Sequence, residues 1–435
     1  MNKNETFEPE ILVAGGGIAG CALAATLAKR GYDVLLAERA PAPRHIFKGE
    51  YLQPAAVQYL ERVGFGSIFN TASSSKVTHL RFRDINEAGE TTSSIIMGYP
   101  ANQHARSIEF FDLLSGLTDG AKAILGERFW QGAELAPLSN EASSFAAKPA
   151  FTCKMSDGRT VTVRPRWVIG CDGRGSAVRR WIGGRLAAKN GRVTVGASEE
   201  FILGAHLREP TTVPDRYEVI RTAGYGTISA FALGAEGKRI YLSARPAEKG
   251  GERHAEAFMR ALKQAKDAAG VRNIPESLPV TGYPANAEWF GPPANGRVFL
   301  AGDALAVTTP YGGQGMTIAL QHARFLSEEI NWRDDAAVTR GKHEYAEFAS
   351  SAHERAALLN FGLYYAFFAR PPIFKRSTQL IMRAWERNPE LKSRVARLFG
   401  GLDRDTPTIL EILDLERKPF GPSASRLLQR AFQTP

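Results

Sequence analysis

Hydrophobic and polar positions along the first forty residues fall into three blocks. An unbroken apolar run, Ile11 to Ala14, predicts a buried strand. A glycine turn follows, then a segment with apolar residues at helical spacing, including Leu23 and Leu27, and then a second apolar run from Val34 to Ala37. This is the pattern of a βαβ unit. Two more short apolar runs, "RWVIG" and "RVFLA", predict strands that end in glycine-rich turns, and "GGQGMTIALQHARFLSEEI" predicts a helix with apolar positions at Ile318, Leu320 and Phe325. Between these runs, "GTISAFAL" and "KRIYLSARP" read as strands, and "GERHAEAFMRALKQAKDAAG" reads as a helix. From Ala336 onward the pattern is helical, broken at Pro371 and Pro372.

Composition narrows the class. The 435 residues are 44% hydrophobic and 23% charged, as in soluble globular proteins, and exceed the usual size of one core. No run reaches the roughly 18–20 apolar residues of a bilayer span. The polar start "MNKNETFEPE" lacks the apolar region of a secretory signal, and Cys21, Cys153 and Cys171 are too few and too scattered for a disulfide framework, so a cytoplasmic protein is expected. The net charge of +10 favours anionic ligands or surfaces, but no nucleic-acid motif accompanies it, and nucleic acid is not expected as a partner. The eight histidines show no metal spacing, no G-x-S-x-G elbow is present, and no metal is expected.

Candidate chemistry enters with three glycine turns. Gly15, Gly17 and Gly20 form G-x-G-x-x-G: the first glycine permits the turn, the second lets a pyrophosphate approach the backbone, and the third lets helix and strand pack closely. Glu38 ends the second strand at the spacing of an acid that holds a ribose hydroxyl. This unit alone does not separate FAD from NAD. The second turn, "VIGCDGRGSAVRR", matches G-x-D-G-x-x-S-x-V-R and includes Asp172 and Gly173. An aspartate before a glycine is ordinarily only a turn former. The third, "GDALAVTTPYGGQGMT", follows a strand and opens a long helix.

Together, in this order, the three motifs resemble the fingerprints of class A FAD-dependent monooxygenases, the para-hydroxybenzoate hydroxylase-like family, over residues 10 to 335. The resemblance implies an α/β fold: a Rossmann-type FAD-binding domain (1–75, 101–185 and 286–335), an inserted substrate-binding β-sheet domain (76–100 and 186–285) and a C-terminal helical extension (336–435). It implies FAD as cofactor, contacted by Gly15, Gly17, Ile18, Ala19, Gly20, Glu38, Arg39, Asp172, Gly173, Gly302, Asp303, Pro310, Gly313, Gly315 and Met316. Within this set Asp303 takes the ribityl chain, and Gly312 to Met316 present backbone N–H groups to the ring edge. Arg44, Lys48 and Arg106, the last expected at the opening of a helix, are candidates for FAD phosphate or ribityl oxygens, with a solvated surface charge as the alternative. Gln53 and Glu50 either approach the flavin ring or cap a helix.

Ala306, Thr317 and His322 depart from a frequent histidine, asparagine and aspartate of the family. "GGQGMTIAL" and "KGEYLQPAAVQYLERVGF" are similar to segments of squalene epoxidases, a kinship within the family. The activity implied is transfer of one oxygen atom from dioxygen, through a flavin C4a-hydroperoxide, to an apolar aromatic or isoprenoid-type substrate. NAD(P)H would serve as electron donor, directly or through a partner flavin reductase. Two rivals stand beside it: a flavin-dependent reductase of prenyl double bonds, and a non-catalytic lipid-binding carrier on the same fold. Phe201, Tyr225, Phe231 and Tyr241 are pocket candidates, with ordinary sheet core the reading taken for each. In the tail, aromatic residues interleave with Arg370, Lys375, Arg376, Arg383, Arg387, Lys392, Arg394 and Arg397. That stretch reads as a helical extension packed on the body, or as an amphipathic face in peripheral contact with an anionic membrane; the packed extension is the reading taken.

Overall fold

The computed structural model describes residues 6–139, 142–183, 201–210, 214–244, 251–284, 287–363, 379, 382–383 and 385–403. In chain order, β1 (Ile11–Ala14), α1 (Ile18–Lys29) and β2 (Val34–Glu38) make the first unit. Next come β3 (Tyr51–Leu52), α2 (Pro54–Arg62), β4 (Ser75–Val77), β5 (His79–Ile85) and β6 (Thr91–Gly98). They lead to β7 (Ala105–Ser107), α3 (Phe110–Leu125), β8 (Phe129–Gln131), β9 (Trp167–Gly170) and α4 (Ala177–Trp181). The insert contributes β10 (Phe201–Leu207), β11 (Arg216–Arg221), β12 (Thr227–Ala232), β13 (Lys238–Ala244), α5 (Gly251–Ala265) and β14 (Thr281–Pro284). The chain closes with β15 (Ala294–Asn295), β16 (Val298–Leu300), α6 (Gln314–Glu328), α7 (Asp335–Leu363) and α8 (Pro389–Phe399).

Two sheets position the site. The first, in order β15-β16-β9-β1-β2-β8, is parallel except for the β15–β16 pair. Its central strands are apolar throughout and fully buried because helices cover them, as a parallel sheet requires. In their register Gly170 pairs with both Ala14 and Leu300, so β1, β9 and β16 end at one level and the residues after them, Gly15, Cys171 and Ala301, begin three loops side by side. Backbone bonds carry the alignment one step further: Cys171 N donates to Ala14 O (2.7 Å) and Ala301 N to Gly170 O (2.9 Å). This crevice beyond the carboxyl ends of the strands is where open α/β sheets hold ligands.

The second sheet, in order β14-β10-β13-β12-β11-β5-β6, combines the insert with the earlier hairpin β5–β6. All its neighbours are antiparallel except β5 and β11. Both faces are covered: α5 supplies Phe258 and Leu262 to one core, while Leu80, Phe82 and Val219 share another with Trp385, Val395 and Phe399 from the C-terminal segment. Double coverage is why β12 is buried at all six positions instead of alternating.

Several boundaries differ from the sequence expectations. Lys76 lies on β4, which pairs with β7 in a separate three-stranded sheet rather than with the large one. Arg106 does not open a helix: it sits mid-strand on β7, whose neighbours Ala105 and Ser107 alternate inward, and α3 starts only at Phe110. Helix α5 stops at Ala265, short of the expected Gly270. The stretch 364–378, with Arg370, Lys375 and Arg376, lies outside the described residues, as does the segment after Asp403. In the described part of the tail, α8 turns Leu391, Val395, Leu398 and Phe399 into the molecule and leaves Arg397 outside. Among the described residues no helix is long and apolar enough to cross a membrane.

Candidate functional site

A cavity of about 480 Å³ lies between the three loops and the inner face of the large sheet. The loop side contributes Gly17, Ile18 and Ala19 from the start of α1, Cys171, Gly173 and Arg174 after β9, and residues of the segment 301–319. The sheet side contributes Leu80, Phe82, Ile202, Tyr217, Val219, Phe231 and Tyr241, and the segment Phe47 to Gln53 joins the two.

Close approach dictates the glycines of the first loop. Gly15 has φ +106°, and a Cβ there would sit 2.6 Å from the carbonyl carbon of Cys171; a Cβ on Gly20 would sit 1.9 Å from Gly15 O. At Gly17 nothing lies within 4 Å of a would-be Cβ, so the space above the helix start is open. Helix α1 has no side-chain cap and no acid in its first turn, which leaves its N–H groups and positive dipole end facing that space. Glu38 closes the loop from the side: its carboxylate accepts from Gly16 N (2.6 Å) and Ala40 N (2.7 Å).

The second loop is anchored by its own helix. One Asp172 oxygen accepts from Ala177 N (2.6 Å) and Val178 N (3.1 Å) at the start of α4. The carboxylate therefore turns back onto its own chain instead of projecting outward; its other oxygen is buried without a partner. Buried Arg179 then ties the second loop to the third, donating to Arg174 O (2.8 Å) and Ala304 O (2.7 Å) while its guanidinium lies 3.9 Å from the Phe290 ring centre.

In the third loop, Asp303 lines the cavity and makes no hydrogen bond to the described residues. Burial pushes its carboxyl above the usual range, against the pull of Lys48 and Arg174. Gly302 N donates to His322 Nδ1 (3.1 Å), and burial among aromatic rings, with His353 beside it, holds the His322 imidazole neutral by lowering its pKa well below the ordinary value. A neutral imidazole thus takes the N–H at the position where the family often has an aspartate. Gly312 and Gly313 adopt φ +76° and +64°, and α6 begins with no side-chain cap and no acid in its first turn. Gln53 fixes this turn: its amide donates to Gly312 O (2.7 Å) and its oxygen accepts from Tyr99 Oη (2.6 Å), which is 3.0 Å from Tyr51 Oη.

The sheet wall is aromatic. Tyr217 and Phe231 stack at 5.2 Å, Tyr51 meets both, and Phe47 packs on Tyr241 and Tyr283. Burial raises the phenols of Tyr51, Tyr217 and Tyr241 above their usual range, so all are neutral. Into this wall is set one ion pair: Arg239 donates from Nε and Nη2 to the two Glu50 oxygens (2.5 and 2.6 Å). Burial lowers the guanidinium, but the fork of bonds and the charge of Glu50 more than restore it, while burial raises the Glu50 carboxyl above its usual range against the pull of Arg239.

Of the residues singled out from sequence, Gly17, Ile18, Ala19, Lys48, Gln53, Gly173, Gly302, Asp303, Pro310, Gly313, Gly315 and Met316 line the cavity. Gly15, Gly20, Glu38 and Asp172 shape its loops from behind. Arg39 and Arg44 are exposed on the segment after β2. Arg106 is away from the cavity lining, its guanidinium 5.4 Å from the Phe69 ring centre. Phe231 and Tyr241 reach the cavity, whereas Tyr225 is exposed on the turn between β11 and β12; the side chain of Phe201 lies outside the described set. Sequence reasoning missed the Glu50–Arg239 pair, the Tyr51–Tyr99–Gln53 chain and Phe399. The charge at Arg239 on an inward strand position was the one available signal.

These features fit FAD. The open, uncapped start of α1 suits a pyrophosphate. The partnerless Asp303 carboxylate suits a chain of hydroxyls, and the Thr308 and Thr309 hydroxyls, buried beside the cavity without partners, leave donors for a polar ring edge. Among the described residues no group of three or more His, Cys, Asp or Glu could hold a metal.

A family model described as an FAD binding domain matches residues 8–359. The chain is 25% identical over 340 residues to 6-methylpretetramide 4-monooxygenase of Streptomyces rimosus, covering 78% of this chain but only 57% of that protein's length. It is 26% identical over 392 residues to menaquinone reductase of Mycobacterium tuberculosis, covering 86% of this chain and 88% of that one. The crystal structure of p-nitrophenol 4-monooxygenase from Pseudomonas putida superposes with a TM-score of 0.71 at 17% identity, over 92% of this chain and 98% of that one, which shows a shared fold.

Proposed function

The chain belongs to the FAD binding domain family, that of the class A FAD-dependent monooxygenases, and from that membership we propose that it inserts one oxygen atom into an apolar aromatic or isoprenoid-type substrate. The observation that carries the reading is the meeting of three glycine loops, suited to FAD, with an aromatic cavity of about 480 Å³. When bound, FAD supplies the activation of dioxygen. The chain's own residues bind, orient and exclude water. The N–H groups at the start of α1 would hold the pyrophosphate, Glu38 would partner the ribose, and Asp303 would accept from the ribityl hydroxyls. Gly312 to Met316 and the positive end of α6 stabilise negative charge on the ring edge without a titrating side chain. Tyr51 hands a hydrogen bond to Tyr99 and Tyr99 to Gln53, whose amide in turn holds the Gly312 carbonyl. Phe47, Tyr217, Phe231 and Tyr241 line the cavity wall and would exclude water from the bound ring.

NAD(P)H is the proposed electron source, as a transient visitor or through a partner reductase. The inward apolar face of α8 supports a packed extension over peripheral membrane contact. A second reading, a flavin-dependent reductase with a prenyl double bond as the proposed acceptor, draws on one observation for its reductase part: the match to menaquinone reductase spans 88% of that protein, whereas the Streptomyces monooxygenase is matched over only 57% of its length. Turnover with NAD(P)H under heavy-isotope dioxygen, on a panel of apolar aromatic and isoprenoid compounds, separates them. The monooxygenase reading expects one labelled oxygen in the product, and an unlabelled product heavier by two hydrogens overturns it.

A further inference from the structure

One cavity-lining residue comes from beyond the family-model match. Phe399, the last residue of α8, lies past residue 359, where the family-model match ends, yet it is among the residues lining the cavity, and its ring packs on Phe82, another lining residue, with centres 5.8 Å apart. The chain is fastened at this point by three successive carbonyls. Phe399 O accepts from Gln314 Nε2 (2.9 Å), Gly400 O from Ala55 N (3.0 Å) and Gly401 O from Gln321 Nε2 (3.0 Å). A helix end leaves such carbonyls without partners, and here the donors come from α6 and from the first turn of α2, the two helices that open at the cavity. The fit is close: Gly401 has φ +67°, and a Cβ there would sit 3.1 Å from Thr317 Cγ2. Gln314 also donates to Gly312 O (3.0 Å), so the same amide grips both the glycine turn and the end of α8.

We propose that Phe399 is a specificity-determining residue, the fixed end wall that sets how long a fused ring system the cavity accepts. The inference rests on the reading that this cavity holds the substrate. A wall held by three hydrogen bonds does not yield to a longer ligand as a loose side chain would, so its volume converts into selectivity.

The test uses the full-length, FAD-loaded protein and measures binding of 2-naphthol, 2-hydroxyanthracene and a four-ring hydroxytetracene from changes in the flavin absorption, without dioxygen or electron donor. Phe399→Ala is expected to raise the four-ring to two-ring affinity ratio by about tenfold or more, Phe399→Leu by less, and Phe399→Trp to lower it by a similar factor. Flavin content and melting midpoint report folding, and if the alanine variant does not fold, the leucine and tryptophan variants still give opposite shifts. Ratios that stay constant, affinities that move together for all ring sizes, or probes that leave the unaltered protein's flavin spectrum unchanged overturn the proposal. Shifted ratios without labelled product overturn the monooxygenase reading and leave the wall; labelled product with unshifted ratios does the reverse.

Discussion

Two glycines three residues apart carry different physical demands. Gly20 is closed in by the Gly15 carbonyl at 1.9 Å from a would-be Cβ, so Gly20→Ala is expected to cost about 1–3 kcal/mol or more of folding stability, seen as a lower denaturant midpoint with or without FAD. Gly17 has open space and an extended backbone (φ −76°, ψ −172°) that alanine adopts freely. Gly17→Ala is therefore expected to cost the apoprotein no more than about 1 kcal/mol as a changed N-cap. FAD affinity should fall by about tenfold or more, read from flavin fluorescence quenching; unchanged affinity would remove the pyrophosphate from this position. His322 offers a pH test. Its folded pKa lies well below the ordinary 6.5, so the unfolded chain takes up a proton that the folded one refuses. Its contribution is present above pH 6.5 and is lost as the pH falls, at up to about 1.4 kcal/mol per pH unit. His353, lowered to about 4, acts in the same direction between 6.5 and 4. In denaturation curves from pH 7.5 to 4.5, His322→Gln should show a shallower loss than the unaltered protein; parallel curves would mean that the imidazole is not buried and neutral.

At the scale of elements, the Glu50–Arg239 pair joins the segment entering β3 to β13 of the large sheet, and so joins the two halves of the cavity. Removing one partner leaves a buried charge unpaired. Arg239→Met is expected to destabilise by about 3–5 kcal/mol, while adding Glu50→Leu to it should recover a large part of that loss. Guanidinium unfolding of the two single variants and the double variant measures the coupling, and additive costs would show that the two side chains do not depend on each other. The same logic explains why Arg179 is tolerated inside: two backbone carbonyls and the face of Phe290 replace its water.

For the whole molecule, the FAD site proposed above draws its loops from three distant parts of the chain, so the cofactor is expected to bind the folded state and not the unfolded one. Titrating FAD into apoprotein should raise the melting midpoint with the logarithm of its concentration, reflecting a stabilisation of about 2.7 kcal/mol at a hundredfold excess over Kd. NAD added instead of FAD should produce no comparable rise, and equal rises would contradict an FAD-specific cradle.

What the sequence determined by itself were the parts governed by local rules: apolar runs that become buried strands, glycines whose turns admit no side chain, and the order of three loops that resembles one family. Those rules act over a few residues, so Gly15, Gly20, Glu38 and Asp303 were legible as candidates without coordinates. Tertiary structure decided what pairing register and packing bring together. It aligned Ala14, Gly170 and Leu300 at one level, turned Asp172 back onto α4, and placed Arg106 mid-strand and away from the cavity. It also set Arg239 against Glu50 and carried Phe399 to the cavity from past residue 359, where the family-model match ends. No local pattern encodes these contacts, because each depends on where two separately stable elements meet, and that is set by how the whole chain buries its apolar faces.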